Sequence, residues 1–249
     1  MIENIYNNIL LPWLLFGIIT FFVLLKKTAP YGKFSNKNWG PLISFKFGWF
    51  IQEIISPITF SYFFLTGDIP NKSIVWLFFL IWNLHYIYRS IVFPLRKKQD
   101  STCPILIIFS AIFFNLINGF TNGYFLGNIA QYGQEYIYNS NFILGIIILI
   151  IGIVINFKSD NILLRIKNEG NGYQIPKHFL FQKISCPNYF GEIIEWVGFA
   201  IMTWSFPALI FALWTMFNLI PRAISTHNWY KKEFSNYPCN RKAIIPFII

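Results

Sequence analysis

Charge is what this sequence has least of. Only 12% of its 249 residues are charged, against about a quarter in ordinary soluble domains. With 55% hydrophobic and 20% aromatic residues and a mean hydropathy of +0.49, that scarcity excludes a typical water-soluble domain and marks a membrane protein. Cysteine is sparse as well: Cys103, Cys186 and Cys239 stand apart without CxxC spacing, which gives no zinc site and no disulfide framework. No GxGxxG opens a helix after a strand, and GNG at 170–172 is no substitute, so a Rossmann domain is excluded. P-loop, HExxH and GxSxG are also missing, which removes nucleotide hydrolase, zincin and serine hydrolase chemistry. The net charge of +10 would suit a nucleic-acid binder, but the cations fall in alternate loops, as membrane topology requires. Neither nucleic acid nor metal is expected as a partner.

What is present is a series of long apolar runs. The first, about Ile9 to Leu25, has no basic leader and no small-residue cleavage site, so it reads as a span and not a signal peptide. Others follow at about Ile43–Thr66, Ile74–Phe93, Pro104–Leu126 and Phe142–Phe157. From Tyr189 to Ile220 the apolar stretch exceeds the roughly 20 residues one helix needs to cross a bilayer. Pro207 within Ser205-Phe206-Pro207 splits it into two spans. The expected fold is therefore all-α, a bundle of seven transmembrane helices. Lys26, Lys27, Lys33 and Lys37, then Arg96, Lys97 and Lys98, then the Lys158–Pro187 segment and the tail carry the cations, while Lys72 stands alone on the other side. That bias puts the N-terminus outside or lumenal and the C-terminus in the cytoplasm. The segment after the fifth span begins SDNILLRIK, with helical spacing, and continues with EGNGYQIP, a turn.

Polar residues inside these runs are costly and are functional candidates by default. Asn188, Glu192 and Glu195 recur at i, i+4 and i+7, one stripe on an apolar rod, in a stretch that closes with Arg222, His227 and Tyr230. Taken alone, the stripe would make Glu192 or Glu195 the acid of an active site. In the second span, Gln52 and Glu53 point about 100° apart; they border one cavity without forming a pair, or Glu53 packs against a neighbouring span. In the third, His85, Tyr86 and Arg89 share a side, and a phenol beside a carboxylic acid can hold and polarise a ketone oxygen. His85 is read as a core histidine and Arg89 as reaching for the basic loop. Asn115, Asn118 and Asn122 read as interhelical hydrogen-bond donors. Asn156 and Asp160, at i, i+4, could accept from ribose hydroxyls or amides. With Arg165, Tyr173, Arg222, His227 and Tyr230 they line one membrane edge, which suits a phosphorylated ligand with a planar ring or anionic headgroups.

In WFIQE at 49–53, LHYIYR at 84–89, INFKSD at 155–160, NYFGEIIEWVGFA at 188–200, PRA at 221–223 with WY at 229–230, and YPCNRKAIIPFII at 237–249, the chain resembles the steroid 5α-reductases. The resemblance implies a single domain, 1–249, with a substrate cavity mainly from 1–127 and a cofactor site mainly from 142–249. It implies NADPH-dependent reduction of the C4–C5 double bond of a 3-oxo-Δ4-steroid, and the topology fits the endoplasmic reticulum of a eukaryote or a bacterial inner membrane. Glu53 and Tyr86 would hold the C3 ketone, with Gln52 beside them and Trp49 lining the cavity. NADPH would be held by Asn156, Asp160, Arg165, Tyr173, Asn188, Glu192, Arg222 and Tyr230, leaving Glu195 to packing. Two departures bear on breadth of substrate: Ser225-Thr226-His227 stands where the family has a histidine run, so that either Thr226 or His227 takes the place of its cofactor histidine, and Phe109 stands where vertebrate enzymes have a basic residue. Reduction of another lipid enone, of the polyprenal or enoyl-CoA type, and a non-catalytic lipid-binding or transport bundle are the alternative readings.

Overall fold

In the computed structural model, described for residues 1–68, 74–98, 100–169 and 172–249, the expected helices form, and the chain divides into two compact units. The helices are α1 (Ile2–Lys26), α2 (Phe45–Leu65), α3 (Val75–Leu95), α4 (Ile105–Ile129), α5 (Ser140–Asn168), α6 (Pro187–Thr203) and α7 (Phe206–Glu233). Among the described residues α1, α3, α4, α5 and α7 are long and apolar enough to cross a membrane. α6 has only 17 residues, and α2 carries Gln52 and Glu53 in its middle. Pro70 and Lys72 of the second loop, and Gly170 and Asn171 of the expected turn, lie outside the described residues. α5 runs well past the expected Phe157, because SDNILLRIK continues the same helix.

The first unit comprises Met1–Leu11 and Ala29–Asn139. Its centre is the packing of α4 on α2. Gly119, Gly123 and Gly127 recur every four residues on one face of α4, and a Cβ on each would run into the α2 backbone at Ser56, Phe60 and Phe64 respectively. Small residues in this pattern let membrane helices approach to backbone contact, where close packing replaces the hydrophobic effect as the driving force. α2 turns its bulk toward α3: Phe64 stacks on Phe60 with centroids 5.9 Å apart, Phe60 stacks on Trp82 at 4.8 Å, and Trp82 leans on Tyr86 at 5.3 Å. A short antiparallel pair, β1 (Leu42–Ser44) and β2 (Thr102–Pro104), brings the starts of α2 and α4 together. α3 and α4 each contain one π-turn, Tyr88–Val92 and Phe125–Ile129.

The second unit comprises Pro12–Thr28 and Ser140–Ile249. Here the glycines lie seven apart on both partners: Gly145 and Gly152 of α5 face the backbone of α6 at Met202 and Glu195, and Gly191 and Gly198 of α6 face α5 at Asn156 and Leu149. The later part of α1 is fixed to α7 by a stack of Trp13 on Trp214 at 4.4 Å and by the Trp214 indole donating to the Trp13 carbonyl at 3.0 Å. α6 and α7 are separated at Trp204 and Ser205, with Pro207 in the first turn of α7. That is where the Ser205-Phe206-Pro207 break was expected. The chain's end returns to the start of α6, the Ser185 and Cys186 N–H groups donating to the Lys242 and Ala243 carbonyls at 2.8 and 3.1 Å.

Candidate active site

The candidate residues form two clusters, one in each unit. In the first, Trp49, Gln52 and Glu53 lie at i, i+3 and i+4 of α2 and so share a side of the helix. Sequence spacing suggested that Gln52 and Glu53 do not pair. They do: the Gln52 amide donates to Glu53 Oε1 at 3.2 Å, because two long side chains can lean across the angle between their Cα–Cβ bonds. Gln52 is buried, and its backbone carbonyl accepts from the Asn115 amide of α4 at 2.6 Å. Asn115 is thus an interhelical donor, as expected. The Asn118 and Asn122 amides donate to the carbonyls four residues back, at Phe114 and Asn118.

Across from α2, Tyr86 is buried at the end of the aromatic column, with the His85 ring edge-on to it at 5.2 Å. The π-turn that follows widens the helix, and π-turns of this kind recur at functional sites. Here the Trp49 indole donates to the Arg89 carbonyl inside that turn at 2.9 Å. The Arg89 guanidinium does more than reach for the basic loop: it lies over the rings of Trp49 and Phe93, 5.0 and 4.9 Å from their centroids. Phe45 stacks on Trp49 at 5.0 Å, and the Lys97 ammonium sits 3.4 Å from the Phe45 centroid. The result is an aromatic-walled cluster with one carboxyl group held by an amide. Phe109 is exposed.

In the second unit the close α5–α6 approach puts Asn156 against Asn188 and Glu192. The Asn156 amide donates to the Asn188 carbonyl at 3.0 Å and reaches Glu192 Oε2 at 3.4 Å. Asp160 is buried one turn further along α5. Arg165 departs from this group: its side chain is 84% exposed and pairs with Glu169, four residues on, at 3.4 Å. On α7, Arg222, Thr226, His227 and Tyr230 are all buried. Tyr173 meets the Trp229 ring edge-on at 5.1 Å. Burial raises the Tyr173 phenol above its ordinary pKa, with the Arg222 charge pulling the other way.

Three residues of this cluster had no assigned role in the sequence reading. Ser185 Oγ lies 2.6 Å from His227 Nδ1, 2.6 Å from the Tyr237 hydroxyl and 3.1 Å from the Lys242 carbonyl. A hydroxyl has one proton; given to the Lys242 carbonyl, it leaves Oγ to accept from Tyr237 and from a His227 protonated at Nδ1. Tyr237 stacks on Tyr230 at 5.3 Å, and burial raises its phenol pKa against the lowering effect of its bonds to Ser185 and Arg241. Arg241 is 5% exposed, with its guanidinium 5.2 Å from the Tyr237 ring centre. Its Nε and Nη1 are buried with no hydrogen-bond partner among the described residues. Buried polar groups are almost always satisfied, and these N–H groups are free to donate to an anion. The block at 237–249 contained Tyr237 and Arg241, but only the long-range pairing with Ser185 and His227 gives them a context.

Residues 101–249 match the family profile described as 3-oxo-5-alpha-steroid 4-dehydrogenase. Over 255 residues, covering 99% of this chain and 98% of the relative, the chain is 37% identical to steroid 5-alpha-reductase DET2 of Gossypium hirsutum. It is 40% identical to steroid 5-alpha-reductase DET2 of Arabidopsis thaliana over 91% of this chain and 90% of the relative. It is 34% identical to 3-oxo-5-alpha-steroid 4-dehydrogenase 1 of Rattus norvegicus over 89% and 86% of the two chains.

Proposed function

Because the chain belongs to the 3-oxo-5-alpha-steroid 4-dehydrogenase family, we propose that it reduces the C4–C5 double bond of a 3-oxo-Δ4-steroid, with NADPH as reductant. The observation that carries the chemistry is the Gln52–Glu53 pair, in the same unit as the aromatic column that ends at Tyr86. With the Gln52 amide on Oε1, the acid proton of Glu53 belongs on Oε2. Glu53 and Tyr86 then both donate to the C3 ketone oxygen, drawing electrons toward it and making C5 electrophilic. The aromatic walls, Trp49 among them, suit an apolar polycyclic ligand and exclude water, which strengthens those two bonds.

The second unit supplies the cofactor's residues. The buried N–H groups of Arg241 fit a phosphate, and the ring pair of Tyr230 and Tyr237 offers a flat wall. Asn156, Asp160, Asn188, Glu192, Arg222, Tyr173 and Tyr230 would hold NADPH, with Arg165 contributing from the exposed edge. When bound, the nicotinamide would supply the hydride taken up at C5, and the resulting enolate would take its proton at C4. The fold is read as seven spans with the N-terminus outside or lumenal and the C-terminus cytoplasmic, in the endoplasmic reticulum of a eukaryote or the inner membrane of a bacterium.

The test is direct. Purified protein incubated with NADPH and progesterone or testosterone should give the 5α-dihydro product, and Glu53→Gln should lose it. Absence of product, together with NADPH oxidation by Glu53→Gln equal to that of the wild type, would overturn the reading. Reduction of a polyprenal or an enoyl-CoA in its place would move the activity to another lipid enone.

A further inference from the structure

Three residues other than glycine hold a left-handed backbone among the described residues: Phe179 at φ 57°, Trp204 at φ 45° and Phe247 at φ 67°. A bulky side chain at positive φ is strained, and such strain persists where the surrounding structure over-determines it: the Ile248 N–H donates to the Ile245 carbonyl around Phe247, the Phe181 N–H to the His178 carbonyl around Phe179, and Trp204 ends α6. All three residues are aromatic and exposed, at 38%, 69% and 79%. Two of them carry a cation, the Lys158 ammonium lying 5.7 Å from the Phe179 ring and the Lys183 ammonium 5.7 Å from the Phe247 ring.

Their places along the second unit are ordered. Phe179 and Lys183 precede α6, and Phe247 is tied to the same end because the Lys242 N–H donates to the Lys183 carbonyl at 3.0 Å. Trp204 closes α6 at its other end. Seventeen helical residues span roughly 25 Å at about 1.5 Å per residue, close to the ~30 Å hydrocarbon thickness of a bilayer. Exposed aromatic rings at two levels separated by that distance form the pattern of interfacial belts. The lysines occur at one level only. A ring with an ammonium over it matches the depth where a side chain packs on acyl chains while its amine reaches phosphate.

We propose that Phe179 and Phe247, with Lys158 and Lys183, form an interfacial anchor that seats the second unit in anionic lipid headgroups, Trp204 holding the opposite leaflet. The inference rests on the membrane reading of the fold. A soluble protein docking on the same face would leave these rings in water when the chain sits alone in a bilayer.

The experiment uses the full chain in nanodiscs of phosphatidylcholine, with and without phosphatidylserine. In a Cys239→Ser background, an environment-sensitive fluorophore is placed at Phe179→Cys, Phe247→Cys, Trp204→Cys and, as a control on α5, Ile150→Cys. Nitroxide lipids labelled at the headgroup should quench the first three, and mid-chain nitroxides should quench Ile150→Cys. Water-like, unquenched emission at 179 and 247 with Ile150→Cys quenched overturns the anchor alone; an unquenched Ile150→Cys overturns the membrane reading and the anchor with it. Phe247→Gly relieves the strain, so its Tm should match or exceed wild type in detergent and fall below wild type in phosphatidylserine nanodiscs. A fall in both media would make the residue merely structural and overturn the proposal. Lys183→Gln combined with Lys158→Gln should abolish the Tm gain that phosphatidylserine gives; a full gain retained would overturn the anionic preference.

Discussion

In the first unit the backbone contacts run one way: α4 presents Gly119, Gly123 and Gly127 to the α2 backbone, while Gly48 of α2 meets only the Ile108 side chain of α4. In the second they run both ways, from Gly145 and Gly152 of α5 and from Gly191 and Gly198 of α6. A one-sided ridge leaves the partner free to project large rings to its other side, and α2 does so with Phe60 and Phe64 stacked toward Trp82. A two-sided arrangement brings backbones together along both helices, so polar side chains at its end find carbonyls and carboxylates, as Asn156 finds Asn188 and Glu192. The first unit thereby gathers aromatic rings and the held acid Glu53, to which the proposal gives the steroid. The second gathers polar side chains with the buried Arg222 and Arg241, to which the proposal gives the cofactor.

If the units divide the work in this way, variants in them should damage different kinetic constants. The largest effect is expected at Glu53. Removing one preorganised donor to a developing oxyanion costs about 10²–10³ in rate, so Glu53→Gln should lower kcat by that order and leave NADPH binding, measured by fluorescence titration, unchanged. A Glu53→Gln enzyme whose main defect is in NADPH affinity would break the division.

Next in size is the packing itself. Gly123→Val would push a side chain into the Phe60 backbone, and Gly152→Val into the backbone of Glu195 and Gly191. Overpacking costs typically about 1–3 kcal/mol. The added side chain meets backbone at both sites, but in the second unit Gly191 and Gly198 of α6 press on the α5 backbone as well, so Gly152→Val should disturb close approaches in both directions and lower the thermal midpoint in detergent more than Gly123→Val. Gly133→Val is the control, since nothing lies near its added side chain. Equal losses at 123 and 152 would say that glycine spacing does not distinguish the units.

The sequence made some of this visible and hid the rest for identifiable reasons. Seven helical segments were legible because hydrophobic runs and the Pro207 break act locally. Asn115 was legible as glue because an amide inside an apolar run must find a partner. The β1–β2 pair was not, since three-residue strands 60 residues apart leave no periodic signal. The two π-turns have no distinctive signal: Pro94 follows the first and Gly127 lies within the second, but Pro57 lies within α2 without a π-turn. Spacing on an ideal helix argued against a Gln52–Glu53 pair, and side-chain reach overcame it. Arg165 matched a family position, yet at the exposed end of α5 it faces Glu169. Ser185, His227, Tyr237 and Arg241 meet only because the last residues return to the start of α6, a contact that no local pattern encodes.

A smaller effect is expected at Arg241, and it sharpens the second half of the comparison. Hydrogen bonds to a charged group contribute about 1.5–3 kcal/mol, which corresponds to roughly ten-fold or more in affinity. Arg241→Gln should raise the KM for NADPH by about that factor while kcat and the steroid KM change little. Arg241→Lys should recover only part, because an ammonium lacks the planar fork. A shift in the steroid KM alone would transfer Arg241 to the substrate's side and undo the separation.

The smallest effect concerns the entrance of α2. Asp100 accepts from the Ser44 hydroxyl and from the Lys46 and Ser101 N–H groups, and the same Ser44 oxygen caps α2 by accepting from the Phe47 N–H at 3.3 Å. Partial burial pulls the Asp100 carboxyl upward, but the bonds from Ser44, Lys46 and Ser101 and the Lys46 charge outweigh it and leave the pKa below its ordinary value. A carboxylate whose folded pKa is depressed adds stability above its unfolded value, about 3.9, and loses it as pH falls through the lower folded value. Because the group is exposed, solvent screening keeps the effect small. Asp100→Asn should therefore lower the thermal midpoint slightly at pH 7, and the difference from wild type should shrink below about pH 4. Ser44, Lys46 and Ser101 all belong to the first unit, so the loss should appear in hydrogen exchange at the start of α2 and leave amides of α5 and α6 protected as before. Equal loosening of α5 and α6 would mean that the two units unfold as one.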